Sequence, residues 1–497
     1  MAPRFFQSLL ANSAAVADSV GSASSASIDC IASVPCSFAV CRSDASAGQC
    51  PEMPSASITS DKPYDAIVIG GGPTGAIAAL ELARRGRRVV VLEKAEFPRF
   101  HVGESLLPAT LDLLRKLGLE PALRELPHVR KFGADFVMGS GGKVMEIDFA
   151  TGYCDGQETF NIERSIFDAM LLREADRAGA QVRQGVAVKQ ILALADGCVR
   201  VQTDAGEIRG RYLLDASGQG AVVGRHLGTR KTADEPHLRK VAYFNHFQNV
   251  SRADGAKGGN PLIAMMDEGW FWLIPITETR TSIGMVLDAD TARRIGREQN
   301  VSPDRMLAWG IDRCPALLSR LQNATRPETN NVAADFSYRC RPYAGPGYFL
   351  VGDAAAFMDP IFSTGIFVGT HGAMVCAKFV DDILAGRILP GRARAIYCKQ
   401  FEQCTDTLFK LIGQYYDHSF RELFLEGSGP LAVHRAVIGV LAGNVFPRPP
   451  LKLRWRLWVF DQLVKINAKR QLVPRRRHFS LLKNAPATQP LATAAST

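Results

Sequence analysis

The sequence predicts an α/β fold in which a doubly wound domain is joined to a β-sheet domain and a helical C-terminal region. Three patterns support this prediction. Residues 65–95 are typical of a buried strand, a glycine turn, an amphipathic helix and a second buried strand. A block rich in β-branched and aromatic residues extends from about 240 to 286. After a second glycine-marked segment that starts at Tyr348, the pattern is helical to about Leu482.

These patterns divide the 497 residues into segments. Residues 1–60 are rich in Ser and Ala and are predicted to be disordered, and Met53 is an alternative start. The doubly wound domain takes 61–235, with inserted strands at about 129–160, and 341–385. The β-sheet domain takes 236–340, the helical region takes 386–482, and the polar tail 483–497 is again predicted to be disordered.

The charge of the chain is unevenly distributed. Its formal net charge is +10, yet residues 448–477 contain ten Lys or Arg and one acid, Asp461. The remainder is nearly neutral, which argues against a nucleic-acid-binding protein. The basic segment also contains Trp455 and Trp458. It therefore suits an anionic membrane surface, an acidic carrier protein, or a helix that packs its aromatic face on the core.

The eleven cysteines do not form a metal-binding pattern. No CxxC pair occurs and no Cys/His cluster has zinc spacing, so no metal is expected. The odd count and the polar N-terminus predict reduced thiols in a cytoplasmic protein. No apolar run reaches the roughly 18 residues that a membrane-spanning helix needs.

A glycine motif follows the first predicted strand. Gly70, Gly72 and Gly75 have the spacing GxGxxG between that strand and the first helix. The first two glycines allow a tight turn close to a pyrophosphate, and the third allows the helix to pack on the strand. Glu93 ends the second strand, where a carboxylate can accept hydrogen bonds from ribose hydroxyls. Together these features predict a dinucleotide site.

Four segments resemble one enzyme family in their order and sequence. They are GGGPTGAIAALELARRG, EKAEFPRFHVGESLLPATLDLLRKLGL, LLDASGQGAVVGRHLG and LVGDAAAFMDPIFSTGI. They are similar to class A flavoprotein monooxygenases and, more narrowly, to flavin-dependent halogenases. The resemblance extends from about 65 to 380 and implies FAD, with Thr74, Arg99, Arg164 and Asp353 as further cofactor contacts. No second nucleotide fingerprint is evident, which suggests that a separate flavin reductase supplies reduced FAD.

The segment GWFWLIPI contains two tryptophans one residue apart. On a strand, Trp270, Trp272 and Ile274 share one face, and Phe271 and Leu273 share the other. Taken alone, two such indoles belong more often to a core than to a site. The stretch WFWLIP, however, matches the Trp-x-Trp-x-Ile-Pro motif of flavin-dependent halogenases. The resemblance implies that the two indoles separate the flavin from the organic substrate.

The same resemblance implies a catalytic lysine and a halide site. Lys131, in VRKFGADFVMG, is similar to the lysine that receives the oxidised halogen, although a surface lysine at a strand end is the ordinary alternative. The halide is expected at the backbone N–H groups of Thr364 and Gly365. Relatives that act on free tryptophan have Glu immediately before Ser-Thr-Gly, and this chain has Phe362. Phenols, pyrroles or carrier-bound polyketides are therefore the favoured substrates.

The resulting prediction is a halogenase that uses FADH2 and dioxygen to oxidise chloride or bromide and to halogenate an electron-rich ring. A flavin monooxygenase or reductase of a lipophilic or protein-bound substrate is the alternative, and a flavin-binding partner without turnover is a third interpretation. His101 is either a base or, more commonly, a hydrogen-bonded histidine beside the cofactor. Glu104 is expected to cap or orient the helix that begins near Ser105, and Asp353 has a helix N-cap as its alternative role.

Overall fold

The computed structural model describes residues 62–151, 158–232, 239–334, 337–426, 434–475 and 478–483. The predicted extension 1–60 and nearly all of the predicted tail lie outside these residues. The strands are β1 (Tyr64–Ile69), β2 (Val89–Leu92), β3 (His128–Lys131), β4 (Gly133–Met138), β5 (Met145–Asp148), β6 (Thr159–Ile162), β7 (Gln181–Arg183), β8 (Val188–Ala195), β9 (Cys198–Thr203), β10 (Gly206–Asp215), β11 (Arg230–Thr232), β12 (Lys240–Gln248), β13 (Leu262–Met266), β14 (Gly269–Pro275), β15 (Arg280–Asp288), β16 (Asn331–Ala334), β17 (Tyr338–Cys340), β18 (Ala344–Gly345), β19 (Tyr348–Leu350) and β20 (Ala356–Phe357).

The helices alternate with the strands in the first half of the chain and follow one another at its end. They are α1 (Pro73–Arg84), α2 (Pro108–Lys116), α3 (Glu120–Arg124), α4 (Arg164–Arg177), α5 (Val222–His226), α6 (Ala289–Glu298), α7 (Met306–Ile311), α8 (Pro315–Leu318), α9 (Gly365–Leu384), α10 (Pro390–Tyr415), α11 (His418–Glu426), α12 (His434–Leu441) and α13 (Leu451–Lys469). Short 3-10 turns connect several of them.

A sheet with a parallel centre forms the base of the first domain. Its order is β18-β19-β10-β1-β2-β7, and β9 and β8 extend it beside β10. Strand β1 pairs in parallel with both β2 and β10. The strands β1 and β2 are almost continuously apolar and buried, as parallel strands covered on both faces require. Helix α1 connects β1 to β2 and packs against α4 and α9. The fold is therefore the doubly wound α/β arrangement that the sequence predicts.

A second sheet has the order β16-β12-β15-β14-β13-β4-β5, and its two faces enter different cores. Trp270, Trp272 and Ile274 belong to the large core that includes the parallel sheet. Phe271 and Leu273 belong to a smaller core that includes side chains of α6 to α8. The alternation in GWFWLIPI therefore predicts correctly which side chains share each face of β14. The two tryptophans lie on the face that shares a core with the parallel sheet.

The C-terminal segment is tied to the hairpin that joins β13 to β14. The N–H of Asp267 donates to the carbonyl of Phe479 at 2.8 Å. The buried carboxylate of Glu268 accepts from the N–H of Leu481 at 3.1 Å and from the hydroxyl of Ser480. These contacts fix the turn immediately before the tryptophan strand.

Helix α13 has one buried side and one exposed side. Leu453, Phe460 and Val464 are buried, whereas Trp455 and Trp458 are 50% and 59% exposed. The interpretation of this segment as a helix packed on the core is therefore correct for one side of α13, but the two tryptophans lie on the other side. Among the described residues, no helix combines the length and the apolar character that crossing a membrane requires.

The described cysteines are not all reduced. Cys314, Cys340, Cys376 and Cys404 are buried free thiols, but Cys198 is disulfide-bonded. The expectation of reduced thiols is therefore wrong at Cys198.

Candidate active site

The glycine turn has the close backbone contacts that its spacing predicts. Gly70 has a φ of +97°, and a Cβ atom there would lie 2.4 Å from the carbonyl oxygen of Ala216. A Cβ atom at Gly75 would lie 1.9 Å from the carbonyl oxygen of Gly70, so only glycine lets α1 start this close to β1. The turn leaves Gly72 at the N-terminal end of α1.

Glu93 is buried directly behind this turn. Its Oε2 accepts the N–H of Gly71 at 2.7 Å, and its Oε1 accepts the N–H of Ala95 at 2.9 Å. A carboxylate oxygen has more than one acceptor site, so both oxygens can still accept from ribose hydroxyls. The sequence placed Glu93 at the end of the second strand, and the structure brings it against the glycine turn.

Two arginines share one buried aspartate beside the turn. Arg164, at the start of α4, makes a bidentate pair with Asp168 at 2.6 and 2.8 Å and donates to the carbonyl of Val102. Arg99 lies 3.3 Å from the same carboxylate, and a Cβ atom at Gly72 would lie 3.4 Å from its Nη2. The Nη1 of Arg99 is buried without a partner in the described residues. A buried guanidinium donor next to a glycine turn fits the phosphates of a dinucleotide.

The second glycine-marked segment approaches the first through Thr74. Gly352 has a φ of +60°, and a Cβ atom there would lie 2.9 Å from the Thr74 hydroxyl. Gly369 of α9 faces the same hydroxyl. Asp353 follows in a 3-10 turn whose cap residue is Val351, so the helix N-cap alternative for Asp353 is wrong. The residues expected around the cofactor therefore come from segments that the fold brings together.

His101 and Glu104 also lie in this region. The Nδ1 of His101 must donate to the carbonyl of Val102, 2.7 Å away, because a carbonyl only accepts. Burial, followed by the charges of the two nearby arginines, holds the pKa of His101 well below 6.5. The capping prediction for Glu104 is wrong, since α2 begins at Pro108 and the Glu104 carboxylate instead lies 3.0 Å from the Nε2 of His246.

Trp270 and Trp272, here called the tryptophan pair, are almost completely buried, and their ring centroids are 5.8 Å apart. Trp272 lies across the neighbouring strand, because a Cβ atom at Gly284 would be only 2.2 Å from its ring. Its Nε1 donates to the hydroxyl of Ser282 at 3.1 Å. On the far side of Gly284, the ring of Phe244 stacks with Trp272 at 6.3 Å.

Residues 359–365, here called the α9 entry segment, connect the second glycine-marked region to α9. The Nε1 of Trp270 donates to the hydroxyl of Tyr416 at 3.0 Å, and that hydroxyl donates to the Oδ2 of Asp359 at 2.7 Å. The Oδ1 of Asp359 accepts the N–H of Ile361 at 2.9 Å. Thr364 and Gly365 lie where α9 begins, as the N-cap and first helical residue.

Lys131 ends β3 and is fully buried, so the surface-lysine alternative is wrong. Its ammonium donates to the hydroxyl of Ser105. The ring centroid of Phe149 lies 5.8 Å from its Nζ. The adjacent Arg130 is instead exposed and pairs with Glu158.

The comparisons with known proteins agree with this arrangement. Residues 63–387 match the family described as FAD binding domain. The chain is 32% identical over 375 residues to the flavin-dependent halogenase armH3 of Armillaria mellea, an overlap of 71% of this chain and 74% of that protein. The chain belongs to the flavin-dependent halogenases.

This halogenase is similar to further members of known activity or structure. It is 31% identical to the 1H-pyrrole-2-carbonyl-[peptidyl-carrier protein] chlorinase of Pseudomonas fluorescens, over 64% of this chain and 76% of that protein. The solved structure of the flavin-dependent brominase Bmp2 superposes with a TM-score of 0.71 at 28% identity, covering 81% of this chain and all of Bmp2. The halogenase is therefore an FAD-dependent oxidoreductase, and the residues described above fit that cofactor.

Several residues of the site were missed by the sequence reasoning. Asp168 could have been suspected, because it follows Arg164 by four residues on a helix. Ser105, Gly284 and Tyr416 have no comparable signal in the sequence, since each meets its partner only in the folded protein. Contacts between distant parts of the chain bring these three residues beside Lys131, Trp272 and Trp270.

Proposed function

We propose that this halogenase transfers oxidised chloride or bromide through Lys131 to an electron-rich aromatic or polyketide-type ring. The observation that supports this role is the complete burial of Lys131 with its amine held by Ser105. A buried lysine is costly unless its amine is bonded, and a surface role would not need that burial. The proposal assigns this amine the final transfer of halogen to the substrate.

The bound reduced cofactor, together with dioxygen, supplies the oxidising power that turns halide into hypohalous acid. The tryptophan pair keeps the organic substrate away from the cofactor, because two buried indoles fill the space on that side of the sheet. Its indole N–H groups are already bonded to Tyr416 and Ser282, so the rings are held in place. The amine of Lys131 hydrogen-bonds the hypohalous acid or forms a haloamine, and both routes hold the reactive halogen beside this one side chain.

The halide is assigned to the N-terminal end of α9. The first N–H groups of a helix have no partner within the helix, and the helix dipole favours an anion there. Helix α9 is 20 residues long and begins at Gly365, directly after Thr364. This supports the backbone N–H groups of Thr364 and Gly365 as the halide ligands, without a cationic side chain.

The substrate is proposed to be a neutral ring, either free or attached to a carrier protein. Phe362 is buried against Tyr415, with ring centroids 5.4 Å apart, at the position before Ser-Thr-Gly. An apolar side chain at this position offers no charge to an amino acid substrate. The Pseudomonas relative acts on a carrier-bound pyrrole. We therefore propose phenols, pyrroles or carrier-bound polyketides, with reduced FAD supplied by a separate reductase.

The exposed side of α13 suits a carrier protein. Leu451, Trp455, Trp458 and Ile466 are exposed and lie on one side of the helix, flanked by lysines and arginines. Carrier proteins with acidic surfaces would complement this charge.

Replacing Trp455 and Trp458 by Ser should weaken binding of an acidic carrier protein. If binding to anionic vesicles falls instead, the segment contacts a membrane and the carrier assignment is wrong.

The test of the proposed function is a halogenation assay with a matched lysine variant. Purified enzyme, a flavin reductase with NADH as its reductant, FAD, dioxygen and bromide are incubated with phenolic substrates, and the product should show the isotope doublet of bromine. Lys131→Ala should abolish product while oxidation of reduced flavin continues, and Arg130→Ala, which changes an exposed neighbour, should retain it. Bromination by Lys131→Ala would contradict the proposal. Gain of one oxygen would identify a monooxygenase, gain of two hydrogens a reductase, and tight FAD binding without turnover a partner protein.

A further inference from the structure

Lys131 and three other polar side chains form a fully buried group, here called the polar patch. It consists of Ser105, Lys131, Thr159 and Asn161, none of which has measurable exposure. In the antiparallel pair of β3 and β6, Lys131 lies opposite Thr159, and Asn161 lies two residues further along β6. A bridge joins Asn161 to Ser105. Residues directly opposite each other, and residues two apart on a strand, share a face.

The hydrogen bonds of the polar patch are incomplete. The Oγ1 of Thr159 and the Oδ1 of Asn161 are buried, and neither has a partner within the residues that the structure describes. The Nδ2 of Asn161 donates to the carbonyl of Gly259 at 2.8 Å, which fixes the amide with its oxygen as the open acceptor. A buried polar atom without a partner costs about 1–3 kcal/mol. Two such atoms beside one amine indicate a ligand that donates hydrogen bonds.

The surroundings of the polar patch restrict that ligand. Phe149 is fully buried and places its ring 5.8 Å from the Nζ of Lys131. Gly259 precedes β13, whose residue Ile263 pairs with Trp272. An apolar aromatic neighbour combined with open acceptors suits a neutral aromatic ring that has a hydroxyl or a ring N–H.

We infer that Thr159 and Asn161 accept a hydrogen bond from the hydroxyl or ring N–H of the substrate and thereby orient it toward Lys131. This rests on the proposed function of Lys131. Donation to an acceptor raises the electron density of the ring, and it sets the carbon next to the donor group near the amine. The electron pair of that carbon forms the bond to halogen. The bond from halogen to the Lys131 nitrogen, or to the hypohalous oxygen, breaks. Its electron pair stays on that nitrogen or oxygen, and the same atom takes up the proton that the ring loses.

The test compares two probes with the same oxygen-substituted ring, of which only one can donate a hydrogen bond. Resorcinol has hydroxyls, and 1,3-dimethoxybenzene has the same ring without them. Thr159→Val keeps the shape of the side chain and removes its hydroxyl. It should lower kcat/KM for bromination of resorcinol about 5-fold to 30-fold, the worth of one hydrogen bond of roughly 1–2 kcal/mol. The rate with 1,3-dimethoxybenzene should not change.

The matched control is Thr281→Val. Thr281 is another buried threonine whose Oγ1 has no partner in the described part of the chain, and it lies on β15 opposite Pro275. The Thr281→Val variant should leave the bromination rates of resorcinol and 1,3-dimethoxybenzene unchanged. Resorcinol binding to each FAD-loaded enzyme, measured by calorimetry, is the second measurement. Thr159→Val should weaken that binding.

The possible failures of the two proposals can be told apart. Suppose that Lys131→Ala abolishes bromination, but Thr159→Val changes the bromination rates of both probes equally or changes neither rate. The orienting role is then wrong and the role of Lys131 stands. If Lys131→Ala brominates resorcinol at the normal rate, the proposed function fails. If the unaltered enzyme binds neither probe, both the substrate class and the orienting role are overturned.

Discussion

The indole of Trp270 is joined to the carboxylate of Asp359 through the hydroxyl of Tyr416. The two hydrogen bonds measure 3.0 and 2.7 Å. Burial raises the pKa of Asp359, although the nearby ammonium of Lys240 opposes that shift. The Nζ of Lys240 lies 3.7 Å from the ring centroid of Tyr416. The tryptophan pair and the α9 entry segment are thus parts of one polar cluster.

Removing the linking hydroxyl should disturb both groups. In Tyr416→Phe, the Nε1 of Trp270 loses its acceptor and Asp359 loses a donor, which should cost about 1–3 kcal/mol of stability. We expect a lower Tm and a higher KM for bromide. Tyr415→Phe is the matched control, since the buried Tyr415 hydroxyl has no partner in the described residues and its loss should be neutral or stabilising. Equal effects of the two variants would show that the hydroxyl of Tyr416 does not position this cluster.

Adding one methyl group under Trp272 should move the ring. The Cβ of Gly284→Ala would lie 2.2 Å from the Trp272 side chain, so the indole must leave its present position. Overpacking of this kind costs about 1–3 kcal/mol. We expect less halogenated product per reduced flavin consumed, measured by product mass against flavin oxidation. Gly413→Ala, at a helical glycine with open space around it, should keep the normal ratio. An unchanged ratio in Gly284→Ala would exclude a steric role for Trp272.

Glu93 should contribute to cofactor affinity. In Glu93→Ala, the N–H of Gly71 loses its acceptor and the turn loses the carboxylate beside it. A hydrogen bond to a charged group contributes about 1.5–3 kcal/mol, so the Kd for FAD should rise about 10-fold to 150-fold. Titration of FAD fluorescence measures this change. Glu207→Ala, which removes an acid paired with Arg200, should bind FAD normally, and a normal Kd for Glu93→Ala would contradict the assignment.

Asp135 should make stability depend on pH. Burial raises its pKa from 3.8 to about 6, so the folded protein favours the protonated form. Stability from this group is present below pH 4 and is lost as pH rises to about 6, with an upper bound of about 3 kcal/mol. Asp135→Asn, which cannot ionise, should raise Tm at pH 8 and change it little at pH 4. A gain in Tm at pH 4 as large as that at pH 8 would show that ionisation of Asp135 is not the cause.

The sequence predicted the parts of this site that depend on local pattern. The GxGxxG turn, Glu93 and the two faces of β14 follow from spacing and alternation, because each is set within a short stretch of chain. The burial of Lys131 could not be read in this way. Its position at the end of β3 favoured a surface residue. Its burial depends on contacts with distant parts of the chain, including the pairing of β3 with β6 and the hydrogen bond to Ser105.

The errors have the same physical origin. Glu104 precedes an apolar run in the manner of a capping residue, but α2 starts three residues after Ser105, and Glu104 meets His246 from a distant strand instead. Asp353 likewise follows a strand and precedes an Ala-rich stretch without capping its turn. In both cases the helix or turn begins at a different residue from the one that the local signal indicates.

The attachment of residues 478–483 to the hairpin before β14 has a practical consequence for recombinant forms of this enzyme. A shortened protein that stops at 477 would leave the buried carboxylate of Glu268 without the donors that Ser480 and Leu481 provide. The loosened turn lies two residues from Trp270, so we expect such a protein to yield less halogenated product per flavin oxidised, although all the residues proposed for the chemistry are retained. Purification handles at this end therefore belong beyond residue 483.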